Sequence, residues 1–155
     1  MGARLTKKGL KSMNDEKTLV DTNVLVYALQ PDSDRQAKAV AFIKDLVTRE
    51  SGVVGAQNLA EFCSLATEKF AKTMDFEQAS SFLSEVSKSL EVISYDENTV
   101  AQALKLSYLH DLHFFDALLA AAMSERGIET IATENEKDFK KIPWLKVVNP
   151  FKPVR

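Results

Sequence analysis

Short apolar runs set between stretches of helical periodicity narrow this chain to one class of fold. Thr18–Val20, Gly52-Val53-Val54-Gly55, Leu90–Ile93, Thr130-Ile131-Ala132 and Lys146-Val147-Val148 each read as a brief strand, being rich in apolar and β-branched residues. Helices lie between them. Ser33 or Asp34 opens one reaching about Arg49, with Ala37, Val40, Ala41, Ile43 or Lys44 and Val47 near helical spacing. From Gln57 to about Lys72, the residues Leu59, Phe62, Cys63, Ala66 and Phe70 form one stripe. Asp75 and Gln78 make a capping box for a helix to about Lys88 that carries Phe76, Ala79, Leu83 and Val86. Asp96 caps a helix with Val100, Ala103, Leu104 and Ser107, ending near His110. Phe114–Arg126 is apolar almost all round and is stopped by Gly127. Strands this short, alternating with helices, predict an α/β fold: a mainly parallel central sheet with helices on both faces.

A chain of 155 residues is one domain's worth of sequence and long enough for a real core. Residues 17–155 are expected to form that domain, and 1–16, which lack apolar periodicity, a flexible leader. Met13 precedes Asn14-Asp15-Glu16-Lys17 and is an alternative natural start. A content of 45% hydrophobic and 27% charged residues describes a soluble globular protein. No apolar run approaches the roughly 18 residues that span a bilayer, and Met1–Lys17 has no apolar core of a secretory signal. The one cysteine, Cys63, cannot form an internal disulfide, so a reducing, cytoplasmic setting is expected. Residues 1–17 carry a surplus of +3, which leaves −5 on the remainder of a chain whose net charge is −2. An acidic body argues against tight nonspecific binding of nucleic acid through phosphate contacts. It leaves room for an enzyme that holds phosphates through a metal ion.

The acids stand in particular settings. Asp21-Thr22-Asn23 follows the first strand, where open α/β sheets place their ligands, although taken alone the triplet reads more simply as a cap for the helix that follows. Glu61 lies in Gln57-Asn58-Leu59-Ala60-Glu61-Phe62, opposite the apolar stripe with Gln57, Ser64 and Glu68, where a solvated face also explains it. Asp116 falls in the first turn of the nearly all-apolar helix. There it complements the helix dipole, yet a buried carboxylate needs hydrogen bonds or a cation. Gathered at the strand ends, Asp21, Glu61 and Asp116 would repel one another and raise their pKa values unless a cation intervened. Mg²⁺ suits such a set, being a hard ion that takes a few carboxylates, keeps several waters and binds phosphate oxygens.

The order of these acids, with Thr133-Glu134-Asn135 before Lys137-Asp138-Phe139, resembles the PIN domain nucleases, above all the VapC-type toxins of toxin–antitoxin pairs. The resemblance runs from about Thr18 to Pro150. It implies a three-layer α/β/α fold and a Mg²⁺- or Mn²⁺-dependent endoribonuclease whose activated water leaves 5′-phosphate and 3′-hydroxyl ends. It further implies an RNA substrate, a cognate antitoxin and a homodimer. Asp21 and Asp116 match direct metal ligands, and Glu61 matches an acid acting through a metal-bound water. Thr22 and Asn23 match residues that orient the carboxylates. Thr133 and Asn135 fall where many relatives carry Thr-x-Asp, so Asn135 can hold a metal-bound water but adds no charge. Asp138 or Glu134 is left to supply the missing acid, Asp138 fitting a helix cap equally well.

Three rival readings stand beside this one: a PIN nuclease of RNA processing without an antitoxin, a degenerate PIN domain that only binds, and a phospho-signalling receiver. Against the receiver, the chain lacks an acidic pair right after the first strand and a clear late-strand lysine. His110 and His113 lack the further Cys or His that would complete a zinc site, though His113 is close enough in sequence to Asp116 to contact substrate. Lys137, Lys140 and Lys141 read as a solvated face or an RNA-backbone contact, and Trp144 as a core or edge anchor.

Overall fold

Leu19 and Val20 are adjacent in β1 (Thr18–Val20), and both are fully buried. Neighbouring residues of a strand point to opposite faces, so β1 lies in a sheet covered on both sides. The computed structural model describes residues 16–31, 33–68 and 74–153; the expected leader through residue 15 and Phe70 fall outside these.

Along the chain β1 leads into α1 (Thr22–Leu29) and α2 (Asp34–Thr48), then β2 (Gly52–Gly55). Next come α3 (Ala56–Glu68), α4 (Phe76–Ser89) and β3 (Glu91–Ile93). The helices α5 (Glu97–His110) and α6 (Phe114–Glu125) return to β4 (Thr130–Ala132), and α7 (Glu136–Phe139) connects to β5 (Lys146–Val148). The strands are ordered β3-β2-β1-β4-β5, and every pair is parallel. In register, Leu19 lies between Val53 and Ile131. The sheet is thus wholly parallel where the sequence predicts a mainly parallel one.

Two apolar clusters sandwich it. Leu19, Val53 and Ile131 pack with Ala117–Met123 of α6, Ala103 of α5 and Phe139 of α7. Val20 and Val54 pack on the other face with Val24, Leu25, Ala39, Leu46 and Val86, from α1, α2 and α4. Each such side chain taken fully out of water contributes on the order of 1.5–3 kcal/mol. The near-total burial of α6 explains its apolar sequence. Its end is set by Gly127 at φ +65°, where the Gly127 and Ile128 N–H groups donate to Ser124 and Met123 carbonyls.

Three stripes read from periodicity are misplaced. In α2 the buried residues are Ala39 and Leu46, with Val40 and Ile43 partly buried, whereas Ala37 and Ala41 are exposed. In α4, Phe76 directly follows the cap and is 84% exposed. In α5 only Ala103 of the expected apolar stripe is buried, because the small alanine lets α5 lie against α6, the element it packs on most extensively among the described residues. Leu104, Tyr108 and Leu109 are left exposed. Leu90 ends α4, its N–H bonded to the Val86 carbonyl, and β3 begins one residue later.

Candidate functional site

Asp21 leaves β1 at the point where the strand order reverses, with β2 on one side and β4 on the other. That is the crevice in which parallel sheets bind ligands. Its N–H donates to the Ala132 carbonyl (3.0 Å), and its side chain caps α1 by accepting from the Thr22 N–H at 2.7 Å. The cap and the crevice position therefore belong to one residue. Oδ1 also accepts from Asn58 Nδ2 (3.3 Å), and Oδ2 from Thr133 Oγ1 (2.7 Å) and Asn23 Nδ2 (2.9 Å). All of these donors are neutral. Burial pushes Asp21 from an ordinary 3.8 up to about 6, against the lowering bonds from Thr133 and Thr22, and repulsion from Glu61 and Asp116 adds to the rise.

Glu61 projects from α3 toward Asp21. Its Oε2 accepts from Thr22 Oγ1 (2.7 Å) and its Oε1 from Gln57 Nε2 (2.8 Å). The helical wheel puts Gln57 and Glu61 on a solvated face, but Gln57 and Asn58 are buried and Glu61 is half-buried. The first turn of α3 lies over the C-terminal end of β1, so its polar residues are enclosed by the site instead of by water. Gln57 and Asn58 are the site residues that the sequence reading missed. Asn58 carried a signal, since it lies four residues before Phe62 on the buried side of the helix.

Asp116 sits in the first turn of α6 and is half-buried, with no hydrogen bond to its carboxylate among the described residues. Burial raises its pKa; the nearby Asp138 and Glu61 raise it further, while His113 and Lys141 oppose them. Asp21, Thr22, Asn23, Glu61, Asp116 and Asn135 all line one open cleft, together with Tyr27 and Gln30. Thr133 is fully buried beneath, its Oγ1 accepting from the Asn135 N–H (2.9 Å) and Asn23 Nδ2 (3.1 Å). The Glu134 N–H donates to Asn23 Oδ1 at 3.1 Å.

The remaining candidates lie elsewhere. The Glu134 carboxylate takes a hydrogen bond from the Tyr27 hydroxyl (2.8 Å) and an ion pair from Arg35, whose guanidinium lies over the Tyr27 and Phe151 rings. Asp138 is outside the lining and pairs with Lys141 at 3.4 Å. His113 is exposed at the start of α6, its ring 5.9 Å from that of Phe115. Lys140 pairs with Glu136, Lys141 donates to the Asp111 carbonyl, and Trp144 is 36% exposed at the rim of the fold.

Among the described residues the lining of the cleft offers oxygen donors and holds no lysine or arginine. Among the described residues no three His, Cys, Asp or Glu side chains form a ready-made ligand set. Carboxylates and an amide spread around an open wall fit a hard ion that keeps several waters better than one demanding a closed protein cage.

Gly55, the last residue of β2, makes the approach of Asn58 possible. Its N–H donates to Asn58 Oδ1 (3.0 Å), and a Cβ there would stand 2.7 Å from that oxygen and 3.1 Å from Leu119 Cδ1. Gly55→Ala is expected to displace Asn58 from Asp21 and cost about 1–3 kcal/mol of stability. Urea denaturation of the two proteins checks this, and an unchanged midpoint would show that Asn58 has room to yield.

A family model described as the PIN domain matches residues 18–145. Among solved structures, the chain resembles a toxin–antitoxin complex from Klebsiella pneumoniae, with 20% identity and a TM-score of 0.65 over 86% of this chain and 98% of that one. It also resembles VapBC2 from Rickettsia felis bound to a DNA fragment from their promoter (23% identity, TM-score 0.65, 85% and 97% covered). A third is VapC20 from Mycobacterium tuberculosis, a sarcin–ricin loop cleaving toxin (18% identity, TM-score 0.61, 78% and 92% covered). At such identities the likeness speaks to the fold alone. A search of curated proteins found no match.

Proposed function

The chain belongs to the PIN domain family, and on that premise we propose that it is a Mg²⁺- or Mn²⁺-dependent endoribonuclease, the toxin of a type II toxin–antitoxin pair. The observation that carries the reading is the convergence of Asp21, Glu61, Asp116 and Asn135 on one cleft, whose described lining residues include no lysine or arginine. Structural neighbours that are toxin–antitoxin complexes support the partner, and a neighbour that cleaves the sarcin–ricin loop supports RNA as substrate.

Asp21 and Asp116 would hold the ion directly, and Glu61 and Asn135 would accept hydrogen bonds from its waters. When bound, such an ion supplies an activated water and relieves charge on the phosphate. The chain's own residues prepare the place. Thr22, Asn23, Asn58 and Thr133 aim the Asp21 carboxylate, and Thr22 ties Glu61 to the same network. Asp138 acts from behind, through its charge on Asp116. Cleavage leaves 5′-phosphate and 3′-hydroxyl ends. The exposed Leu104, Tyr108 and Leu109 of α5 give a second copy of the chain an apolar surface on which to dimerise. No helix among the described residues is long and apolar enough to cross a membrane.

The purified chain is expected to cut total RNA with Mg²⁺ or Mn²⁺, to lose activity in excess chelator and to stay inactive with stoichiometric zinc, since the donors are oxygens. Mapping the cut ends checks the chemistry. Undiminished cleavage in chelator would sink the metal reading.

A further inference from the structure

Gln57 is buried between two of the acids without belonging to either. Its Nε2 donates to Glu61 Oε1 (2.8 Å) on one side and to the Phe115 carbonyl (2.9 Å) on the other. Phe115 immediately precedes Asp116, so one amide joins α3 to the first turn of α6. Gln57 Oε1 is buried and has no hydrogen-bond partner among the described residues. Flipping the amide is no remedy, because Oε1 would then face a carboxylate oxygen and a carbonyl, both of them acceptors. An unpaired buried acceptor destabilises a fold, and an unbranched apolar residue of similar volume would remove that penalty. Such a residue could not make the bridge.

We propose that Gln57 is a positioning residue that sets the spacing of Glu61 and Asp116. Like charge drives these carboxylates apart, and the doubly donating amide opposes that by pinning Glu61 to the backbone beside Asp116. The cleft is thereby held in a shape that receives a cation before one arrives. Gln57 touches neither ion nor substrate; its effect passes through Glu61. This rests on the reading of Glu61 and Asp116 as metal-site acids.

The test is calorimetric titration of Mn²⁺ into the full chain, wild type and Gln57→Met, alongside thermal melts in chelator. Gln57→Met is expected to bind Mn²⁺ on the order of tenfold more weakly, as groups behind metal ligands do, and to melt no lower than wild type. RNA cleavage should recover toward wild type as Mn²⁺ is raised, with little change in KM for RNA. Equal Mn²⁺ affinity in folded Gln57→Met would overturn the inference and leave the metal reading intact. Absence of Mn²⁺ binding by the wild-type chain would overturn that reading and the inference with it. Should Gln57→Met fail to fold, Gln57→Asn carries the same test, since it keeps the amide but is one methylene too short to span the gap. Wild-type affinity in that variant, or failure of both to fold, would make Gln57 a structural residue only.

Discussion

Asp116→Asn is expected to abolish cleavage while leaving the metal-free fold as stable as before, or more so. The substitution removes one charge and almost no volume. The carboxylate has no hydrogen bond to lose among the described residues, and burial, Asp138 and Glu61 all disfavour its charged form. A group that is costly when empty and needed when a cation is present gives opposite effects in the two states. Activity should fall by at least about 100-fold, beyond the range of residues that merely support a metal ligand. The melting temperature in chelator should hold or rise, and the rise produced by Mn²⁺ in the wild type should shrink. Full activity in the folded variant would remove Asp116 from the mechanism.

The metal-free protein is expected to become less stable as pH rises from about 4.5 to about 7, the reverse of the trend set by paired carboxylates. Asp21 titrates at an ordinary 3.8 when unfolded and at about 6 when folded. Between those values the folded chain holds the extra proton, so the stability it confers is complete below 3.8 and is lost as pH rises through about 6. For this enclosed group the whole swing amounts to roughly 3 kcal/mol at most. Asp116 acts in the same direction. The opposing groups are Glu136, held down to about 2 chiefly by its hydrogen bond from Lys152, and Asp96, lowered by the backbone N–H of Thr99. Both lose their contribution only below the ordinary carboxylate range, so they leave the upper window to the site. Chemical denaturation at several pH values in chelator measures the slope, and saturating Mg²⁺ should flatten or invert it, because the ion binds only the deprotonated site. A metal-free chain whose stability climbs toward pH 7 would show that Asp21 is not enclosed as described.

Strands were legible because their signal is local. Leu19-Val20 and Val53-Val54 are apolar at successive positions, which only a sheet covered on both faces can accommodate. Asp75, through its capping box with Gln78, and Asp96, as a cap, announced their helices, and the structure contains both caps, Asp96 forming a box with Thr99 as well. What periodicity could not supply was which side of an amphipathic helix finds a neighbour. Val100 and Leu104 of α5 look like core residues and face outward, whereas Gln57 and Asn58 of α3 look like surface residues and are enclosed. Both errors have one cause. Burial at the ends and edges of a sheet depends on what other elements cover, and polar residues are buried there when their partners are polar as well. The acids stood out through their flanking residues, but the amides that aim and space them did not, because Gln and Asn at a helix start have ordinary surface explanations.

The strand order has a consequence for how the chain is made. β1 is the central strand, yet its partner residues in β4 are 112 positions further along, and the Thr133 and Ala132 groups that hold Asp21 come equally late in the chain. During synthesis the first half of the chain can pair β1 with β2 and bring Glu61 to Thr22. The crevice itself has only one wall until the residues of β4 have left the ribosome. A chain released early therefore carries most of the acids but no enclosed Asp21. On the proposed reading of the chain as a ribonuclease, that arrangement withholds the finished site from the machinery still building it.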